Sequence, residues 1–237
     1  MQRILTVPPP LHDSCINCIL RLICIPSCLK EEELINFSLT INKNFIIQKN
    51  SIIFEQHSPA NYLYIIKSGA AKSTVTFSNQ EQVTGFYLTG DILGLESIGY
   101  EKYINNLYTL QQTTLCFISI ENLNILFKNN SKLSLFFLNL VANRLRKNQR
   151  KMILTQFEAK KRVSLFLLFM VEYYKEHMLS FEYIQLPMSK NDISNFLSLT
   201  PETLSRVFTQ LKKDNIIKMT GKNIYINNFE YLHNLTK

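Results

Sequence analysis

Ser189-Lys190-Asn191-Asp192-Ile193-Ser194-Asn195-Phe196-Leu197-Ser198-Leu199-Thr200-Pro201-Glu202-Thr203-Leu204-Ser205-Arg206 is the stretch that decides the fold. Ser189 can cap a short helix, with Asp192 three residues on at capping-box spacing. After Ser198-Leu199, Thr200 caps a second helix whose first turn holds Pro201 and which runs to Lys213. Two short helices about a tight turn make a helix-turn-helix. Downstream, Ile216 to Met219, the turn Thr220-Gly221-Lys222-Asn223 and Ile224 to Ile226 read as a hairpin, the wing of a winged helix. Upstream, Ala159 to about His177 is apolar over much of its circumference, through Val163, Phe166, Leu167, Phe169, Met170 and Tyr173. Such a helix is a domain core.

On the second helix, Glu202, Ser205 and Arg206 stand at i, i+3 and i+4 and share one face. Leu204, Val207, Phe208 and Leu211 fall opposite and would pack the helix down. Arg can bond guanine O6 and N7 bidentately, and Glu can accept from cytosine N4. Glu202 also suits the helix N-terminus electrostatically, whichever partner is present. Lys190, Lys212, Lys213, Lys218 and Lys222 could contact phosphates, which position without specifying sequence. The charge distribution agrees. Net charge is +8, and residues 131–237 carry 17 Lys and Arg against 8 Asp and Glu, while residues 1–130 carry 9 against 10. A basic C-terminal half points to a polyanion partner, beside the plainer reading of a solvated basic face with no partner.

Ser131 to about Gln156 contains no Gly or Pro, and Ser131 can cap it. A helix of that length spans roughly 38 Å. Leu138, Val141, Leu145, Asn148 and Met152 follow heptad spacing among Arg144, Arg146, Lys147, Arg150 and Lys151. Such spacing is either a core-packing stripe or the seam of a dimer coiled coil, and a narrow seam amid dense positive charge favours the dimer. Before it, Phe45 to Ile120 is rich in short β-branched and aromatic runs: Phe45 to Ile47, Ile52 to Phe54, Tyr62 to Ile66, and Ser73 to Phe77. Gly85, Gly90, Gly94 and Gly99 punctuate the next stretch, and Leu107 to Ile120 reads as one longer strand region. Many short strands with glycine turns indicate a sandwich or roll. Ser119 can cap a short helix through Phe127.

The N-terminal segment Cys15-Ile-Asn-Cys18-Ile-Leu-Arg-Leu-Ile-Cys24-Ile-Pro26 has C-x2-C-x5-C spacing, with Cys28 close behind and Cys116 far away in the β-rich region. Four readings stand side by side. Buried small hydrophobes suit Cys116 but not a CxxC loop. Disulfides need an oxidising compartment, and five cysteines is an odd count. Structural zinc takes two close ligand pairs, and no second pair is evident. An iron–sulfur cluster needs converging thiolates, which a loop and a strand together can supply.

Other classes are not supported. His12, His57, His177 and His233 are scattered, and neither a P-loop nor a dinucleotide-binding glycine pattern occurs, so an enzyme is not expected. Apolar residues make up 46%, enough for sizeable cores, yet no apolar run is long enough to span a membrane. Pro8 to Pro10 interrupts any signal-peptide pattern. The expectation is a soluble, cytoplasmic protein with no membrane partner.

From about Cys15 to Tyr231 the chain resembles the Crp/Fnr superfamily of transcription regulators, most closely its oxygen-sensing, iron–sulfur branch. The resemblance rests on the C-x2-C-x5-C-Ile-Pro run, on Gly85-Phe with Gly90-Asp-Ile-Leu-Gly94, and on Leu199-Thr with Glu202-Thr-x-Ser-Arg206. It implies an α+β architecture. Residues 1–30 would be a cluster-binding segment, 31–130 a β-roll (a jelly roll like cyclic-nucleotide-binding domains), 131–157 the dimerisation helix and 158–237 the winged helix. By position, Cys15, Cys18, Cys24 and Cys116 match the ligands of one [4Fe–4S] cluster per subunit, and Cys28 matches none. Glu202, Ser205 and Arg206 match base-reading residues whose half-site resembles TTGAT. Asn148 departs from the pattern, which has Asp there. Gly94 to Thr109 lacks the Arg that holds a cyclic phosphate in the nucleotide-binding branch, so no cyclic nucleotide is expected. The expected partners are double-stranded DNA, a second copy of the chain and RNA polymerase. A zinc-stabilised regulator without redox sensing is the alternative.

Overall fold

The β-branched runs of the N-terminal half pair into two antiparallel sheets, and the C-terminal half is a small helical domain with a wing. The computed structural model describes residues 15–177 and 183–234; Pro8 to Pro10 and His12 lie outside the described residues. Contacts divide the chain into two compact units, one of residues up to Glu81 with Gly85–Asn143, the other of Gln82–Thr84 with Arg144 onward.

In the first unit, short 3-10 turns at Cys15–Asn17 and Ile25–Cys28 precede helix α1 (Glu31–Thr40). Glu33 accepts a hydrogen bond from the Lys30 backbone N–H at 2.8 Å, and three glutamates in the first turn complement the helix dipole. Strands β1 (Asn42–Ile47), β2 (Ile52–Phe54), β3 (Tyr62–Ser68), β4 (Ala70–Phe77), β5 (Gln80–Leu88), β6 (Ile92–Leu93), β7 (Asn106–Thr109) and β8 (Thr113–Ser119) follow. One sheet has the order β1-β8-β3-β6, the other β2-β7-β4-β5. The region expected as one strand from Leu107 to Ile120 is therefore two strands, one in each sheet. Exposed Gln111 and Gln112 mark where the chain changes sheet, a step that hydropathy alone does not register.

Successive side chains of a strand point to opposite faces, and here that alternation separates two cores. Leu63 and Ile65 of β3 and Ile118 of β8 join Leu34 and Phe37 of α1. Ile66 and Leu115 point the other way, to Phe54, Tyr103 and Leu107 inside the roll. Phe54 stacks on Tyr103 with ring centroids 3.8 Å apart.

Ser119 caps α2 (Ile120–Asn129), its side chain accepting from the Asn122 N–H at 3.1 Å. The long helix α3 spans Ser131–Leu154. Its cap is Asn130 rather than the expected Ser131: Asn130 Oδ1 accepts from the Leu133 N–H at 3.0 Å. Both residue types cap well, and Asn130 is the one left with extended backbone.

The second unit packs α4 (Ala159–Glu176), β9 (Ile184–Gln185), α5 (Lys190–Phe196), α6 (Pro201–Lys213), β10 (Ile217–Thr220), β11 (Asn223–Ile226) and α7 (Phe229–Asn234). Val163, Phe166, Leu167 and Met170 of α4 and Leu204, Phe208 and Leu211 of α6 are buried. The wing pairs β10 with β11 from Ile217↔Ile226 to Thr220↔Asn223, and β9 adds to its far edge. Gly221 turns the hairpin at φ +61°, a backbone region that L side chains rarely adopt. Among the described residues no helix is long and apolar enough to cross a membrane.

Candidate metal centre and nucleic-acid interface

Cys116 lies opposite Ile65 of the central strand β3, on the face that meets the N-terminal segment. That segment is held by turns rather than by a sheet. The Cys24 N–H donates to Leu20 O at 2.9 Å, the Ser27 N–H to Cys24 O at 2.9 Å, and the Cys15 N–H to Ser38 Oγ of α1 at 3.2 Å. The result is convergence: Cys15, Cys18, Cys24 and Cys116 line one cavity of about 30 Å³, together with Leu20, Arg21, Phe37, Ile41, Ile65 and Lys67. Cys15 and Cys24 are only 7% and 8% exposed. Burial pushes the Cys24 thiol well up, a backbone hydrogen bond at Ile25 acts against it, and charge on Cys116, Cys18 or Cys15 would raise it further. Burial likewise raises Cys116, opposed by a hydrogen bond from the Asn44 backbone. These mutual effects mean that the four sulfurs would repel as thiolates unless a cation compensates them.

Cys28 stands apart. It is absent from the cavity lining, and its thiol donates to Ile25 O at 3.2 Å. None of the five cysteines forms a disulfide, and among the described residues no group of three or more His, Cys, Asp or Glu side chains is already disposed to hold a single metal ion. The donor set nonetheless fits a soft, thiolate-bound group: four sulfurs in an otherwise largely apolar recess.

In the second unit, both helix caps form as the sequence suggests. Ser189 Oγ accepts from the Asp192 N–H at 3.1 Å, and Asp192 Oδ2 accepts from the Ser189 N–H at 3.0 Å. Thr200 Oγ1 accepts from the Thr203 N–H at 3.2 Å. Glu202 and Arg206 are exposed and Ser205 half-buried on the α6 face away from Leu204, Phe208 and Leu211. Glu202 sits in the first turn, where its own backbone N–H and then Thr200 hold its carboxyl below the usual range, with Arg206 adding to the effect. Arg206 Nη2 donates to Thr203 Oγ1 at 3.2 Å, which keeps the guanidinium along the helix. Lys190, Lys212, Lys213, Lys218 and Lys222 are all exposed, on α5, α6 and the wing.

Arg162, which gave no sequence signal within Lys160-Lys161-Arg162, ties this domain together. Its guanidinium donates to Phe157 O at 2.7 Å, Thr155 O at 2.9 Å, Ser198 O at 3.0 Å and Leu197 O at 3.1 Å. The residues just beyond α3 and the turn between α5 and α6 are thereby fixed to one side chain.

Along α3, Leu138, Leu145 and Met152 are 64%, 59% and 75% exposed, and Asn148 is exposed beside them, with Val141 half-buried. The basic residues that flank this seam are partly engaged. Lys147 pairs with Glu176 at 2.9 Å, Arg150 with Glu172 at 3.6 Å, and Lys151 Nζ lies 4.1 Å from the centroid of the Phe196 ring.

Residues 161–235 match the model of the Crp-like helix-turn-helix domain, and residues 45–130 that of the cyclic nucleotide-binding domain. The chain is 31% identical over 220 residues to the Regulatory protein HlyX of Actinobacillus pleuropneumoniae, covering 92% of each. It is 29% identical over 214 residues to the Transcriptional activator protein anr of Pseudomonas aeruginosa, covering 90% of this chain and 88% of that one. The solved structure of FixK2 from Bradyrhizobium japonicum matches with a TM-score of 0.76 at 29% identity, over 82% of this chain and 96% of that one.

Proposed function

Since the chain belongs to the Crp/Fnr family of DNA-binding transcription regulators, we propose that it senses oxygen through one [4Fe–4S] cluster per subunit. In this reading the cluster-loaded homodimer binds TTGAT-like inverted repeats under anaerobic conditions, and RNA polymerase is a further partner. The observation that carries it is the convergence of Cys15, Cys18, Cys24 and Cys116 on one recess, with Cys28 hydrogen-bonded elsewhere. Names of relatives support it: "Anaerobic regulatory protein" of Haemophilus influenzae and "Fumarate and nitrate reduction regulatory protein" of Yersinia pestis are each 31% identical. When bound, the cluster supplies an oxygen-labile link between the N-terminal segment and the β-roll.

The chain's own residues give that link a route to the dimer. Cys15, Cys24, Leu34 and Phe37 share one buried core with Leu123 of α2 and with Leu133 and Phe137 of α3. Loosening the cysteine segment therefore loosens packing under the first turns of the dimerisation helix. Further along α3, Leu138, Val141, Leu145, Asn148 and Met152 would form the interface. Paired asparagines can fix register at a cost in stability, whereas paired aspartates would repel. Asn148→Asp is expected to shift apo-protein toward monomer in sedimentation; an unchanged, fully monomeric wild type rejects that role.

On DNA, Glu202, Ser205 and Arg206 would read base edges while Lys190, Lys212, Lys213, Lys218 and Lys222 meet phosphates. Recognition helices of a two-fold dimer call for half-sites about 10–10.5 bp apart, centre to centre. The stretch Gly94 to Thr109, which lacks Arg, favours a β-roll that binds no cyclic nucleotide.

The test is anaerobic purification. Expected are visible absorbance and about four iron and four labile sulfide per subunit, lost when Cys15, Cys18, Cys24 or Cys116 becomes Ser and kept in Cys28→Ser. Colourless protein holding zinc overturns redox sensing. Retention in Cys116→Ser with loss in Cys28→Ser overturns the ligand assignment.

A further inference from the structure

Beside Cys116 the sheet is irregular, and the irregularity is chemically specific. The β1–β8 register runs Asn42↔Phe117 and then Phe45↔Leu115, so Lys43 and Asn44 stand together opposite Cys116. Two residues facing one is a β-bulge. Asn44 takes φ +61°, a region that Asn tolerates better than most residues. Its backbone hydrogen-bonds the Cys116 sulfur. Its side-chain Oδ1 accepts from Lys67 Nζ at 2.7 Å. Lys67 comes from β3, two residues beyond the Ile65 that pairs with Cys116, and it lines the cysteine recess. One residue thus holds both the sulfur and the lysine that lines the recess.

We propose that Asn44 is a positioning residue for the Cys116 thiolate and that Lys67 is the counter-ion of the thiolate-bound group, so that this bulge sets its reduction potential and its lifetime in air. The inference rests on the cluster reading above. Four thiolates outweigh the positive charge of an iron–sulfur core and leave a net anion. Hydrogen bonds to the sulfurs and net local charge are among the factors that set the potential of such a group. An N–H···S bond and a fixed ammonium both favour the more reduced, more negative state. Arg21, the other cation lining the recess, belongs to the cysteine segment itself and would move with it. Lys67 sits on the sheet and would stay.

Lys67→Met, Lys67→Arg and Asn44→Gly full-length proteins, loaded anaerobically, test this. Gly keeps the positive φ and the N–H but removes the Lys67 acceptor. Lys67→Met should load, show a more negative midpoint potential, and lose visible absorbance in air about tenfold faster, within the range usual for outer-shell partners. Lys67→Arg should restore both values toward wild type, and Asn44→Gly should fall between. Equal circular dichroism of the apo-proteins would exclude a folding cause. Wild-type potential and decay rate in Lys67→Met overturn the proposal while leaving the cluster reading intact. Wild type that loads no chromophore overturns both.

Discussion

Arg206 is placed by a single 13-residue helix, whereas Cys116 is placed by strands β1, β3 and β8 and has to meet a loop that precedes all three. In α6 the cap, the first-turn proline, the buried face and the outward face that carries Arg206 are all local. The cysteine recess has no local specification of its shape, because Cys116 on β8 meets the segment carrying Cys15, Cys18 and Cys24 only once the first unit is packed. The contrast teaches where damage should travel. A defect in the cysteine core should reach α3, which shares that core; a defect on the α6 surface should stay at the DNA.

The largest effects would come from breaking each core in turn. Phe37→Ala removes a fully buried ring that lines the recess, and should cost about 3–5 kcal/mol. Leu204→Ala should cost about 2–5 kcal/mol. In urea unfolding followed with iron content, Phe37→Ala should lose cluster and dimer together, while Leu204→Ala should keep the cluster and lose DNA binding. Equal loss of iron in both would erase the distinction between the two regions. Smaller, and a sharper probe of the local plan, is Arg206→Ala. It should weaken operator binding by roughly 1–3 kcal/mol and relax preference at one base position. Smallest is Lys212→Ala, which should weaken all sequences alike and lower the salt slope of binding by about one. A Lys212→Ala protein that changed base preference would show that the division between reading and positioning residues is misplaced.

The same contrast explains what could be read before folding. Ser189 with Asp192, and Thr200 with Pro201, carry their geometry within four residues, and both caps formed where the sequence put them. The strands of the roll were legible singly, but not which sheet each joins; Leu107 and Leu115 look alike in sequence, and both line the interior of the roll from different sheets. Helix α1 was not anticipated because exposed Ile35 and Leu39 blur the spacing of buried Leu34 and Phe37. In the site, spacing marked three of the cysteines. Asn44 and Lys67 gave no signal at all, since only the bulge and the strand register bring them to one sulfur. Arg162 is similar: its four carbonyl partners come from two segments that the sequence does not connect.

Alternation along β8 also governs how such a chain can change in length. Cys116 reaches the recess because it stands one residue past Leu115, which points into the roll. Deleting any one residue from Thr113 to Leu115 while keeping the pairing with β3 would carry the sulfur to the wrong face, beside Phe54 and Leu107. Deleting two would return it, displaced along the strand by one repeat of the pleat. The loop from Cys15 to Cys24, which pairs with no strand, is under no such rule of odd and even. Insertions and deletions should therefore be tolerated on one side of the recess in any number that still lets the sulfurs meet, and on the other only in pairs.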